Sequence, residues 1–280
     1  RRAETGLLHV RAQNKLDAFR GLGACHAHDR GMQMMILKTL AHGRGSELLQ
    51  GSDEMLAIDE FSRRAGCALG VDREIEKVSA GELAIVEAYC DGVNQVMARR
   101  RPWELKLLRF PFEDWGVSDI IALSRFVSYV GLAQGQGEIE RLIVQMIHAG
   151  TSREELSELF PNQVDDLTDE LTTLIKKARF SAKVVPDEVR FSRMIPKVMA
   201  SNNWVIAPKK TRSKMAMLCN DPHLEINGLP AVWYECSLTW GDHYLMGAGM
   251  AGIPAMIIGR TRDVTWGVTY SFLDGIDSWI

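Results

Sequence analysis

The spacing of apolar residues changes character once along this chain, and that change limits what the chain can fold into. From Asn14 to about Lys177 apolar side chains recur every three or four residues, as in Leu83, Val86, Cys90, Val93 and Met97, which share one face of a helix. After about Ser192 the period shortens to that of strands. β-rich runs at Trp204–Ile206, Met215–Cys219, Ala231–Trp240, His243–Gly247, Ala255–Ile258 and Val264–Thr269 are separated by turn residues. Helices are predicted over about 14–40, 55–66, 80–99, 117–132, 138–149 and 165–178. Breaks fall at Gly43, Gly51, Pro102, Pro111 and Gly150, and Ser118 and Ser152 are candidate N-caps. Two lead-ins, Leu7–Arg11 and Cys67–Val71, are expected to be strands that join the sheet of the second half. Residues 176–200 hold no sustained period and are expected to form an exposed connector. The order predicts an α+β fold with a helical region over 1–175, the connector over 176–200 and a sheet-forming region over 201–280.

The 280 residues are 46% hydrophobic, enough for a sizeable core. Lys and Arg number 33 against 36 Asp and Glu, so a formal charge of −3 gives no general attraction to nucleic acid or anionic lipid. No apolar run is long enough to span a bilayer, and no apolar signal segment follows Arg1 and Arg2, which suits a trimmed product as well as a cytoplasmic chain. Five cysteines without CxxC spacing, Cys25, Cys67, Cys90, Cys219 and Cys236, read as buried thiols.

Several local signals carry less than they suggest. Gly247-Ala248-Gly249-Met250-Ala251-Gly252 matches GxGxxG, but a β-rich run follows where a dinucleotide site requires a helix. His26 and His28 fall on different helix faces, which argues against a shared metal, and Asp29-Arg30 suggests an ion pair. Met32, Met34 and Met35 read as core, and Lys209, Lys210, Arg212 and Lys214 as a solvated turn. Neither a GxSxG elbow nor a P-loop occurs.

The run Ser201-Asn202-Asn203-Trp204-Val205-Ile206-Ala207, with Asn220-Asp221-Pro222-His223-Leu224 after it, resembles the opening of the catalytic subunit in the penicillin acylase family. Gly247–Pro254, Ile258-Gly259 and Val264–Thr269 extend the similarity. So do three upstream segments: Gly6–Ala12, Ala27–Arg30 with Gln33-Met34, and Gly43–Leu48. The resemblance implies an N-terminal-nucleophile hydrolase with an αββα sandwich and a mostly helical N-terminal subunit. It also implies scission between Ala200 and Ser201, after which the Ser201 hydroxyl is the nucleophile. The freed α-amine, with an ordinary pKa of about 8, serves as base. His223, twenty-two residues on, holds the place of a histidine that orients the serine in relatives acting on cephalosporin-type or lactone-type substrates. The backbone NH of Tyr270 takes the place of one oxyanion donor, and a second donor, an Asn, lies far downstream in the family.

By the same resemblance Ser128, Leu132, Leu224 and Val268 line the acyl pocket, although each reads equally well as core. Asp274, the Ile276 carbonyl and Asp277, with Glu138 from the helical half, resemble a calcium loop, for which an exposed acidic turn is the alternative. No organic cofactor is implied. The expected substrate is a small-molecule linear amide, and the expected partner is the remaining catalytic-subunit sequence, held as a heterodimer after processing. The expected location is the periplasm or the cell exterior. Two rival readings remain beside this one: an unprocessed zymogen or non-catalytic fragment, and a dinucleotide module.

Overall fold

The computed structural model describes residues 3–111, 113–130, 134–179, 201–223 and 231–269. The chain opens with strand β1 (Leu8–Ala12), followed by α1 (Lys15–Ala41), α2 (Gly45–Leu48), α3 (Asp53–Arg64), α4 (Val71–Ile75) and α5 (Ala80–Arg99). Then come α6 (Trp103–Leu107), α7 (Val117–Ser128), α8 (Gln134–Ala149), α9 (Arg153–Leu159) and α10 (Asp169–Lys177). The strands β2 (Ser201–Ile206), β3 (Met217–Pro222), β4 (Trp233–Trp240), β5 (His243–Met250), β6 (Met256–Arg260) and β7 (Thr265–Trp266) complete the order. The α+β expectation holds, and most helix and strand positions agree with the periodicity.

Five strands form one sheet in the order β1-β4-β5-β6-β7, while β2 and β3 pair as a separate antiparallel ribbon. The lead-in at the N-terminus does join the sheet. β1 runs parallel to β4 with Leu8 opposite Cys236 and His9 opposite Ser237, and His9 Nδ1 lies 2.6 Å from Ser237 Oγ. β5 and β6 approach closely because Gly247 and Gly249 carry no side chain. A Cβ would sit 2.1 Å from the Ile258 carbonyl oxygen at the first and 2.2 Å from that of Ala255 at the second. The glycine-rich run is thus a strand-packing device, and among the described residues no helix follows it.

α1 passes through the middle of the core. Asn14 caps its start by accepting from the Asp17 NH at 2.9 Å, and its buried residues, among them Leu22, Ala27, Met34 and Leu37, lie on more than one face. Such a helix must satisfy its own buried polar groups. His26, almost fully buried, accepts from the Tyr89 hydroxyl at 2.8 Å, and that hydroxyl in turn receives the Gly252 NH at 3.0 Å. Burial drives the His26 pKa down to about 3, with Asp29 opposing and Arg30 reinforcing the shift, so the ring is neutral. Tyr234 donates to Asp29 at 2.5 Å. One polar cluster therefore ties α1, α5, β4 and the β5–β6 turn together. α1 crosses α5 at two glycines: a Cβ on Gly23 would lie 2.1 Å from the Tyr89 carbonyl oxygen, and one on Gly92 1.9 Å from that of Arg20. At the far end Lys38 Nζ and His42 Nε2 reach Asp119 at 2.9 and 2.8 Å, and the Gly116 NH donates to it at 2.8 Å.

Three local expectations are corrected. Cys67–Val71 forms no strand: Gly66 and Gly70 adopt φ of 70° and 67°, the Cys67 and Leu69 carbonyls are taken by Arg125 Nη1 at 3.1 and 2.7 Å, and Val71 opens α4. Gly116, not Ser118, precedes the first turn of α7, where Asp119 supplies the capping carboxylate. Asp29 and Arg30 turn to different partners, Asp29 to Tyr234 and His28, Arg30 to the Ala231 carbonyl and Gln33. Other local readings agree with the structure. Cys67, Cys90 and Cys236 are buried, Cys25 and Cys219 are half-buried, and none of the five forms a disulfide among the described residues. Ser152 caps α9 with a reciprocal Glu155 bond. Met34 and Met35 are core. Among the described residues no helix is long and apolar enough to cross a membrane.

Gly92→Ala is expected to lower unfolding free energy by about 1–3 kcal/mol through overpacking. Gly81→Ala, where an added Cβ meets nothing within 4 Å, is expected to be neutral or slightly stabilising, and urea titration of both variants checks the contrast. Burial alone would raise the Asp119 pKa, but hydrogen bonds from His42, Lys38 and Gly116 together leave it lowered. A lowered folded-state pKa adds stability that is complete above the unfolded value of about 4 and is lost as pH falls through the folded value. Asp119→Asn is expected to cost about 3 kcal/mol at neutral pH and to flatten the acid limb of a stability–pH curve.

Candidate active site

The residues around Ser201 are assembled by strand register. In the β2–β3 ribbon Ser201 lies opposite Pro222, Asn202 opposite Asp221 and Asn203 opposite Asn220. Facing residues of an antiparallel pair project to the same side, and side chains alternate along each strand. Ser201, Asn203 and Asn220 therefore share one face of the ribbon, and Asn202 and Asp221 share the other.

Asn220 uses its face to capture a distant segment. Its Oδ1 accepts from the Val268 NH at 3.1 Å, and its Nδ2 donates to the Val268 carbonyl at 2.8 Å and to the Asn202 carbonyl at 2.9 Å. One carboxamide thus takes the place of a neighbouring strand for the β-rich run at Val264–Thr269, whose ladder partners among the described residues fall only at Thr265 and Trp266. Gly267 makes room for the clamp, since a Cβ there would lie 2.7–2.8 Å from Asn220 side-chain atoms. On the other side, Trp266 Nε1 donates to the Met256 carbonyl at 3.1 Å and anchors the segment to the five-stranded sheet.

The clamp delivers Thr269 to Ser201. Thr269 Oγ1 donates to the Ser201 carbonyl at 2.9 Å and lies 3.1 Å from Ser201 Oγ. Because its single proton is engaged on that carbonyl, the hydroxyl–hydroxyl bond runs from Ser201 to Thr269. The Ser201 side chain is thereby given a direction. His223 follows Pro222 and sits with the opposite face: its Nε2 is 3.1 Å from Asp221 Oδ2 and 3.5 Å from Asn202 Nδ2. It reaches the level of the serine along the ribbon, yet its described partners are Asp221 and Asn202 rather than Ser201 Oγ.

Of the other expected site residues, Val268 is brought to the ribbon by Asn220 and is 41% exposed, so it is available to line a pocket. Ser128 is exposed at the last turn of α7 and makes no hydrogen bond to this group among the described residues. Ala200, Tyr270, Leu132, Leu224, Asp274, Ile276 and Asp277, and the side chain of Glu138, lie outside the described residues. Of the connector expected over 176–200, Lys176 and Lys177 instead close α10, and residues 180–200 lie outside the described residues. Among the described residues no group of three or more His, Cys, Asp or Glu side chains is placed to hold a metal ion. Two positioning residues, Asn220 and Thr269, received no role from the sequence, although both fall inside the runs that carry the family resemblance. Their sequence separation, 48 residues for the Asn220–Val268 bond, hides the pairing from any local pattern.

Comparison with known proteins agrees in extent and in kind. The family model for penicillin amidase matches residues 1–280. The acyl-homoserine lactone acylase QuiP of Pseudomonas aeruginosa is 28% identical over 99% of this chain and 32% of its own length. Penicillin acylase 2 proenzyme of Pseudomonas sp. strain SE83 is 26% identical over 96% of the chain and 35% of its own length. Penicillin G acylase of Escherichia coli is 20% identical over 99% of the chain and 39% of its own length. The chain thus spans about a third of the length of the curated relatives it matches.

Asn220→Ala is expected to lower stability by about 2 kcal/mol, for three hydrogen bonds of roughly 1 kcal/mol each partly replaced by water. The Val268 amide should exchange markedly faster with deuterium than in the parent, as read by hydrogen-exchange mass spectrometry.

Proposed function

Since the chain belongs to the penicillin amidase family, we propose that it is the part of an amidohydrolase precursor that carries the nucleophile, Ser201, and the segment that aligns it. The observation that supports this most is the placement of Ser201 at the first position of β2 with its hydroxyl directed by Thr269. A residue that begins a strand can become a chain terminus without loss of the ladder that follows it.

In the proposed sequence Ser201 Oγ attacks the Ala200 carbonyl carbon and the Ala200–Ser201 C–N bond breaks. The acyl group passes to oxygen as an ester while the nitrogen takes up the hydroxyl proton and becomes the free Ser201 α-amine, and water then hydrolyses the ester, freeing the Ser201 hydroxyl and the Ala200 carboxylate. That amine, with an ordinary pKa of about 8, accepts the Ser201 hydroxyl proton in the second reaction. The hydroxyl attacks a substrate amide, the amine product leaves with the proton, and water releases the acid from the acyl-enzyme. The oxyanion of each tetrahedral intermediate is assigned to the Tyr270 NH, which directly follows the segment held by Asn220. Deleting one such donor costs about 3–4 kcal/mol in a well-studied protease. His223 is assigned to the entrance of the site as an orienting group, with Val268, Leu132, Leu224 and Ser128 as candidate contacts for the acyl chain.

The substrate class proposed is an N-acyl homoserine lactone or the acyl side chain of a penicillin or cephalosporin, following the names of the relatives. The αββα sandwich, an exported location and the heterodimer with further catalytic-subunit sequence belong to the same proposal. So does a structural calcium ion on Glu138, Asp274, the Ile276 carbonyl and Asp277, whose hard oxygen donors suit that ion.

Mass spectrometry of the full-length gene product is expected to show two polypeptides, one beginning at Ser201, together with amide hydrolysis on an acyl-length panel. Ser201→Ala should leave one uncut chain and no turnover. An uncut parent without amidase activity would overturn the proposal, as would undiminished activity in the alanine variant.

A further inference from the structure

A cleft of about 760 Å³ lies beside the middle of α1, lined in part by the residues that join α5 to α6, and the chemistry proposed for Ser201 makes no use of it. Its walls are fixed by packing. Arg30 departs from helical geometry (φ −133°, ψ 17°) and bends α1 there. Gly31 lets the bend press against the end of α5, since a Cβ would lie 2.8 Å from Pro102 Cγ and 3.2 Å from Met97 Sδ.

The charge in the cleft is one-sided. Arg30, Arg100, Arg101 and Lys106 face Asp29 and Glu104, and His28 adds a titratable ring. Asp29 already receives Tyr234 and pairs with His28, while Arg30 is engaged by the Ala231 carbonyl at 2.8 Å and by Gln33 Oε1 at 3.4 Å. That leaves Arg100, Arg101 and Lys106 against Glu104.

Two buried donors in this lining lack an acceptor. Gln33 Nε2 and Arg101 Nη2 are both shielded from solvent and have no hydrogen-bond partner among the described residues, and Gln33 as a whole is only 4% exposed. Turning the Gln33 amide over offers no relief, because it would set the NH2 group against the Arg30 guanidinium. Nor can the two groups satisfy each other, since both are donors. A buried donor without an acceptor is costly, and more so on a cation, so the arrangement favours an occupant that brings acceptor oxygens and negative charge. Met32, Ile36 and Trp103 add apolar surface to the same cleft, and Trp103 is 68% exposed.

We propose that this cleft binds an organic oxyanion, a carboxylate or phosphate on a small apolar body, which draws the Arg101 and Gln33 side chains out of their shielded positions to donate to its oxygens and whose charge is balanced by Arg100 and Lys106. The apolar body lies against Met32, Ile36 and Trp103. The shared chemistry covers both head groups, and the test separates them.

Thermal unfolding of the full chain, titrated with benzoate and with phenyl phosphate against sodium chloride of equal ionic strength, provides the measurement. At least one anion is expected to raise Tm saturably above the salt control, and which one does so identifies the head group. Arg101→Gln and Gln33→Leu are each expected to weaken the apparent affinity about tenfold or more. Lys106→Gln changes an exposed side chain, so it serves as the folding-neutral variant and is expected to weaken binding several-fold. No saturable rise with either anion overturns the proposal, as does an affinity unchanged in Lys106→Gln and in whichever of the other two variants folds.

Discussion

Two hydrogen bonds from the carboxamide of Asn220 to Val268, steadied by a third to the Asn202 carbonyl within the ribbon, hold together two pieces of sheet that share no strand ladder among the described residues. On one side stands the β2–β3 ribbon, with the candidate nucleophile at its edge. On the other stands the five-stranded sheet, which ends at Trp266. The chain between them must come within reach of Ser201, yet among the described residues Val268 has no strand beside it to take its NH and carbonyl. Asparagine is the smallest side chain that offers one acceptor and one donor in the geometry of a peptide. The same device appears at Asn94, whose amide receives the Trp115 NH at 2.7 Å and donates to the Trp115 carbonyl at 3.0 Å. There it fixes the approach to α7; at Asn220 it fixes the approach to Ser201. Gly267 and Thr269 follow from it, the first because the clamp leaves no room for a Cβ and the second because its hydroxyl falls on the serine.

The helical half supports this arrangement by sharing its core with the sheet rather than packing as a separate body. β1 contributes an edge strand to the sheet of the second half, and the buried cluster of His26, Tyr89 and Gly252 joins α1 and α5 to the β5–β6 turn. Leu8, Leu22, Tyr89, Leu238 and Met250 belong to one continuous apolar core. A break in the chain before Ser201 would leave every one of these contacts intact. Processing and persistence of the assembled halves are therefore compatible, because the contacts that unite them do not pass through the bond proposed for cleavage.

Legibility in the sequence followed the range of the interactions. Helices such as Ala80–Arg99 were readable because the residues that set their period are three or four apart and because Ser79 and Glu82 form a local capping box. Strand β1 was readable from alternation, and Ser201 from the run that resembles the family. The stretch Cys67–Val71 misled because its apolar content suits a strand, while its carbonyls are claimed by Arg125, more than fifty residues away. Val264–Thr269 was longer as a predicted strand than as a paired one for the same reason: Asn220, remote in sequence, replaces the ladder. Helix propensity and alternation are properties of neighbours, and a side chain that substitutes for a strand leaves no trace in either.

That distinction also separates the two candidate partners of Ser201. His223 stands twenty-two residues after Ser201 along the chain, and strand alternation sets it with Asp221 and Asn202 on the face opposite Asn220. Thr269 drew no attention, yet tertiary packing places its hydroxyl on Ser201. A base supplied by the serine's own α-amine does not need a histidine within bonding distance of Oγ; it needs the hydroxyl proton to be aimed and the terminus to be held. Thr269 and the β2–β3 ladder meet those two requirements with neutral groups. The histidine is thereby left at the rim of the ribbon with its side chain 40% exposed, as the entrance role proposed for it requires.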